Sequence, residues 1–160
     1  MNFLKILIAV LPVFQISTSS LAQQKEENNN RAMNFNVENN TAIKGHDPVA
    51  YFSQNKAVKG KPENTMIYKG IIYRFATKEN LESFRANPDK YEPQFGGWCA
   101  YAMGNDGSRV EVDPETFKIL DGKLYLFYNF YFNNTLKKWN SNEKALKEKA
   151  DKNWKKNFPQ

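Results

Sequence analysis

The sequence predicts an α+β fold: a small, mostly antiparallel sheet built from two hairpins, with helices packed on it. Three observations lead there. β-Branched and aromatic runs flank Lys69-Gly70 and Asp121-Gly122, two-residue pairs suited to tight hairpin turns. Apolar residues recur at helical spacing in separate blocks, over about 78–87 and 142–157. Strands and helices do not alternate strictly, which disfavours a parallel βαβ sheet.

The elements follow in order. Residues 1–22 have the parts of a secretory signal: Lys5, an apolar run from Ile6 to Phe14, and the small-x-small site Ser20-Leu21-Ala22. That run is shorter than the roughly 20 residues a membrane span needs. The expectation is therefore a periplasmic or secreted protein that is not transmembrane once the signal is removed. Residues 23–40, rich in Asn and Glu, read as a polar disordered linker. The folded domain is then 41–160, long enough for one core.

Within it, Gly45-His46-Asp47-Pro48 is turn chemistry, and Val49 to Phe52 has short-strand composition. Thr65 to Tyr68 and Ile71 to Phe75 form the first hairpin. Thr77 caps a helix carrying Leu81 and Phe84, which Asn87-Pro88 ends. Trp98 to Met103 reads as a strand, with Cys99, Tyr101 and Met103 sharing a face. Phe117 to Leu120 and Lys123 to Tyr128 form the second hairpin. Asn134 caps a segment carrying Leu136 and Trp139. Ser141 caps the C-terminal amphipathic helix, whose stripe Leu146, Ala150, Trp154 and Phe158 docks on the sheet.

Composition limits the chemistry. The formal charge is +6, and lysines of the C-terminal helix carry much of it. In an exported chain this reads as a solvated face, and no nucleic-acid partner is expected. No Ser-His-Asp set, paired-carboxylate arrangement or phosphate-binding glycine loop stands out, so the reading leans away from an enzyme. One cysteine and one histidine remain, Cys99 and His46. An unpaired cysteine in an oxidising compartment cannot be a disulfide staple, which leaves intermolecular pairing, metal binding or a reactive thiol, besides an inert buried side chain. Gly96-Gly97 lets backbone N–H groups converge beside it.

The runs Gly45 to Phe52, Tyr73-Arg74-Phe75-Ala76, Asn80 to Phe84, Asn87-Pro88 and Tyr91 resemble a YHS domain. Pro93 to Tyr101 and Asp121 to Leu126 are similar to that family's exported, single-domain branch. The resemblance implies descent from a metal-associated module, and a branch in which relatives carry selenocysteine at the place of Cys99. The cysteines of metal-binding members fall here on Ala50, Ala76 and Asn80, so the ancestral structural Zn²⁺ site is not expected. Two functions are then expected. One is a binding module for a soft ion such as Cu(I), through Cys99 and His46 with Asp47, Tyr101 and Met103 as further donors. The other is a thiol redox protein in which Cys99 is catalytic and an external thiol resolves it. Its partner would be an exported thiol protein or a metal-handling protein. A non-catalytic interaction domain with a buried, inert cysteine is the third reading.

Overall fold

In the computed structural model, residues 18–157 are described. The apolar run expected of a signal lies outside them, as does Phe158. The segment expected to be a polar linker carries helix and short-strand structure. Helix α1 spans Thr18–Asn34, and strands β1 (Val37–Glu38) and β2 (Thr41–Ala42) follow it. Its composition is polar because most of the helix faces water. Arg31 and Phe35 are what hold it: Arg31 Nη2 donates to both carboxylate oxygens of Glu92, at 2.5 and 2.6 Å, and Phe35 meets Trp154 edge-on.

Both expected hairpins form. β3 (Lys61–Tyr68) pairs with β4 (Ile71–Phe75), and β5 (Asp113–Leu120) pairs with β6 (Lys123–Phe127). They lie in separate sheets. β4 pairs on its other side with β2, in parallel, giving the order β1-β2-β4-β3. A short hairpin of β7 (Asn129–Phe130) and β8 (Asn133–Asn134) follows β6.

β6 divides the interior. Leu124 and Leu126 point into one core with Ile71, Tyr73, Phe75 and Phe84. Tyr125 and Phe127 point into a second core with Phe95, Met103, Trp139 and Leu146. A strand buried on both faces reads as a continuous apolar run, which is why Leu124 to Phe127 shows no alternation.

Two segments expected as strands are helical. Val49 to Phe52 lies in and just before α2 (Ala50–Ser53), and Trp98 to Met103 leads into α5 (Ala100–Asn105) with Cys99 at its N-cap. Over so few residues aromatic and β-branched composition cannot fix the period, and tertiary packing decided it. Helix α3 (Lys78–Ala86) starts as expected, Thr77 Oγ1 accepting from the Asn80 N–H at 3.1 Å. The short helix α4 (Pro88–Tyr91) then leads to a 3₁₀ turn over Gln94–Gly97. Asn134 caps α6 (Thr135–Ser141) through the N–H groups of Leu136 and Lys137.

Helix α7 (Glu143–Asn157) corrects two details. Ser141 is the last residue of α6, its hydroxyl donating back to the Lys138 carbonyl, and is not the cap of α7. Leu146 and Ala150 are buried as expected, but α7 packs mainly against α5 and not flat on a sheet. Gly104 sets that approach, since a Cβ there would stand 2.4 Å from the Leu146 carbonyl oxygen. Helix propensity alone favours Ala over Gly by about 1 kcal/mol. Backbone against backbone cannot yield, so Gly104→Ala is expected to destabilise, by roughly 1–3 kcal/mol. Urea denaturation gives the sign, and a stabilised variant would show that the two helices part freely.

Candidate functional site

Among the described residues, the loop before α2 holds the one charged side chain in the buried interior. Asp47 is fully buried, and its carboxylate accepts four hydrogen bonds. Oδ1 takes the N–H groups of Val49 at 2.8 Å and Ala50 at 3.3 Å. Oδ2 takes the Ala76 N–H at 2.7 Å and the Asn80 side-chain amide at 2.6 Å. A buried carboxylate is tolerated when its acceptor capacity is met in this way. Asp47 is therefore an internal anchor with its lone pairs engaged.

His46, next to it, is also buried, and its Nδ1 lies 2.9 Å from the Ile43 carbonyl oxygen. In the neutral ring that nitrogen donates. Burial lowers the His46 pKa from its ordinary value, and Lys59 lowers it further; the Ile43 bond, Glu115 and Asp113 oppose this. The imidazole is thus held neutral, and it does not supply a positive charge to a neighbouring thiol at neutral pH.

Cys99 is fully buried. Its sulfur lies 3.4 Å from Thr135 Oγ1 and accepts from the Tyr128 N–H at 3.4 Å. Counting protons settles the direction of the first contact. Thr135 spends its single hydroxyl proton on the Tyr128 carbonyl, at 2.8 Å, so the S–H donates to Thr135 Oγ1. The result is a closed ring: Cys99 S–H to Thr135, Thr135 O–H to Tyr128, and Tyr128 N–H back to sulfur. The expected reachable thiol is a buried one because β6, α5 and α6 converge on it.

The five expected metal donors have different surroundings. Cys99 and His46 spend their hydrogen bonds on different partners, and Asp47 is saturated. Met103 is buried in the second core, whereas Cys99 belongs to the first. Cys99 stands at the N-cap with non-helical backbone, outside the α5 helix that carries Met103, and Tyr101, two residues from Met103, diverges from it along the helix. Tyr101 is half-buried, with the Lys138 ammonium 5.8 Å from its ring. Among the described residues no group of three or more His, Cys, Asp or Glu could hold a metal ion.

The sequence reading missed the groove beside α1. It encloses about 840 Å³ and runs between α1, the Gln94–Gly97 turn and α7. Phe35, Phe95 and Trp154 line it, with Arg31, Lys69, Glu92, Lys123, Asp151 and Lys155 around them. At its edge Glu92 receives Arg31 and the Tyr73 hydroxyl together. Arg31 Nη1 is buried without a hydrogen-bond partner among the described residues. Gly96 keeps the floor open: it has φ +60°, and a Cβ there would lie 2.9 Å from the Trp154 ring. The signal in the sequence was the pair Gly96-Gly97: Gly96 packs under Phe35 and Trp154, and Gly97 against Pro93.

With this geometry in view, the chain was compared with known proteins. No family model, curated protein or solved structure matches it.

The single histidine makes one effect separable. Burial disfavours imidazolium in the folded state, so as pH falls through about 6.5 the unfolded chain takes up a proton first. Stability is then full above that pH and declines below it, levelling once the folded histidine also titrates. Urea midpoints measured from pH 7 to pH 5 should show this decline. His46→Asn, which puts an amide nitrogen near the Nδ1 position, should flatten it. A flat native profile would show that His46 is accessible to protons in the fold.

Proposed function

We propose that this chain is a non-catalytic interaction domain of the YHS type, acting outside the cytoplasm, that takes a polar, mixed-charge peptide segment along the groove beside α1. The carrying observation is where charged and aromatic side chains gather on one open surface. Asp47 and the Cys99 thiol spend their polar capacity internally, and His46 spends its Nδ1 proton on Ile43. The groove instead presents eight charged residues among the eighteen that line it, four of each sign, around an aromatic strip. Small-molecule sites are mostly apolar and enclosing. An open, charge-balanced trough with aromatic anchors fits an extended segment of a partner better. Every lining residue lies at Gln24 or later, so cleavage after Ala22 would leave the groove whole.

The YHS reading is supported by one convergence. Ala50, Ala76 and Asn80, the positions matched to cysteines of metal-binding members, all donate to the Asp47 carboxylate. Three positions separated in sequence meet at one point, as former ligands of a common centre would. A soft-metal or thiol-redox role through Cys99 lacks such convergence.

Two measurements test the proposal. Iodoacetamide should label Cys99 only when the protein is unfolded, and rapid labelling of the native protein would favour the thiol chemistry instead. A random peptide library panned on the protein should enrich mixed-charge sequences whose affinity falls about tenfold or more in Trp154→Ala, as for the loss of an aromatic anchor. If nothing is enriched, or if Trp154→Ala binds equally well, the groove is not the interaction site.

A further inference from the structure

Among the described residues, four two-residue hairpin turns have both central residues in the left-handed region. Three use residues suited to it: Asn39-Asn40 (φ 49° and 60°), Lys69-Gly70 (46° and 80°) and Asp121-Gly122 (52° and 70°). The fourth, between β7 and β8, is Tyr131-Phe132, at φ 51° and 63°. Bulky side chains disfavour this conformation, and nothing in the fold requires them here. Neither ring is packed, since Tyr131 is 91% exposed and Phe132 110%. Strained backbone carrying two unburied aromatic rings is a feature whose return lies outside the molecule.

We propose that Tyr131 and Phe132 form a wedge that docks this protein reversibly on anionic lipid surfaces. The shape excludes a broad protein interface, which needs about 800 Å² from each partner. Two rings at the apex of a hairpin present a narrow convex tip, suited to entering the headgroup region where Tyr and other amphipathic rings are enriched. The surroundings are cationic. The Lys44 ammonium lies 5.6 Å from the ring of Phe130, which precedes the tip, and α6 exposes Lys137 and Lys138 just beyond β8. Against these stand Glu111, paired with Lys44 at 3.4 Å, and the exposed Glu115, next to Thr116, which accepts from the Asn129 amide of β7. Lysines near a membrane surface favour anionic lipid. The base of the wedge is rigid, because Tyr128 and Thr135 flank the hairpin and are closed together by the Cys99 ring.

The test is co-sedimentation of the full chain with phosphatidylcholine vesicles, with and without phosphatidylglycerol. Three variants run beside it: the double variant Tyr131→Asn with Phe132→Gly, the double variant Lys137→Gln with Lys138→Gln, and a labelled reporter. Asn-Gly suits the same turn, so the tip variant should melt no lower than the native protein. All variants share the N-terminal apolar run, so differences between them read the tip and its lysines. The native chain is expected to prefer anionic vesicles, a preference that salt weakens. The tip variant should bind about tenfold more weakly, the scale expected for burying a large side chain. The lysine variant should lose the preference for anionic over neutral vesicles. The reporter is Asn133→Cys carrying an environment-sensitive fluorophore, which should shift to the blue on anionic vesicles. Equal binding by native and tip variant together with an unshifted reporter overturns the proposal. So does a native chain that ignores vesicles yet self-associates or binds a protein through the tip.

Discussion

The Asp47 carboxylate is the constraint on which the rest of this molecule depends. It joins three stretches of chain: the start of α2, the end of β4 and the first turn of α3. Three of its four donors are backbone N–H groups that have been taken from water. Without the carboxylate each would be a buried unsatisfied donor, costing about 1–3 kcal/mol. Hydrogen bonds to a charged acceptor are also stronger than neutral ones. Once the loop is fixed there, Tyr51 follows, its hydroxyl reaching the Pro114 carbonyl at 2.9 Å and tying the first sheet's layer to the start of β5. Its ring meets Phe117 edge-on.

Cys99 extends the same logic to the second half. The thiol stands where α5 begins, and its backbone N–H is spent on the Val110 carbonyl at 2.9 Å. The sulfur satisfies one buried N–H and donates to one buried hydroxyl, so no polar atom in the ring is left over. An alanine would leave the Tyr128 N–H without a partner. A serine could reproduce the pattern, but oxygen is smaller than sulfur and the 3.4 Å contacts would loosen. The glycine pair before it serves the groove and not the thiol, because Gly96 and Gly97 carry the chain under Phe35 and Pro93.

The sequence was legible where local chemistry dictates structure. Lys69-Gly70 and Asp121-Gly122 need left-handed backbone, and glycine supplies it, so both hairpins could be read. Thr77 and Asn134 cap helices through their own side chains, within three residues. Illegible elements owe their form to distant partners. The helix over residues 18–34 depends on Glu92 and Trp154, more than fifty residues away from Arg31 and Phe35. Residues 98–103 look like a strand by alternation, and become helical because the second core claims Ala100 and Met103 while the first claims Cys99. His46 and Cys99 stood out by rarity, yet rarity says nothing about partners. Ile43 and Thr135 could be found only in space.

The division of labour among polar groups has a physical cause. A domain with two small cores on either side of one strand has little apolar area to spend on each. Its stability then rests on leaving few buried donors or acceptors unmet. Asp47, His46 and Cys99 are residues that elsewhere perform chemistry, and here each is placed where it closes an internal circuit. Closing those circuits engages the Asp47 lone pairs, the His46 Nδ1 proton and the Cys99 thiol proton inside the fold. Among the described residues the fold leaves uncommitted the buried Arg31 Nη1 beside the groove, the buried Tyr125 hydroxyl, and the aromatic pair at the β7–β8 turn. Such features work against a protein's own stability. They persist when something outside the chain compensates, and that directs attention from the lone thiol to the groove and the tip.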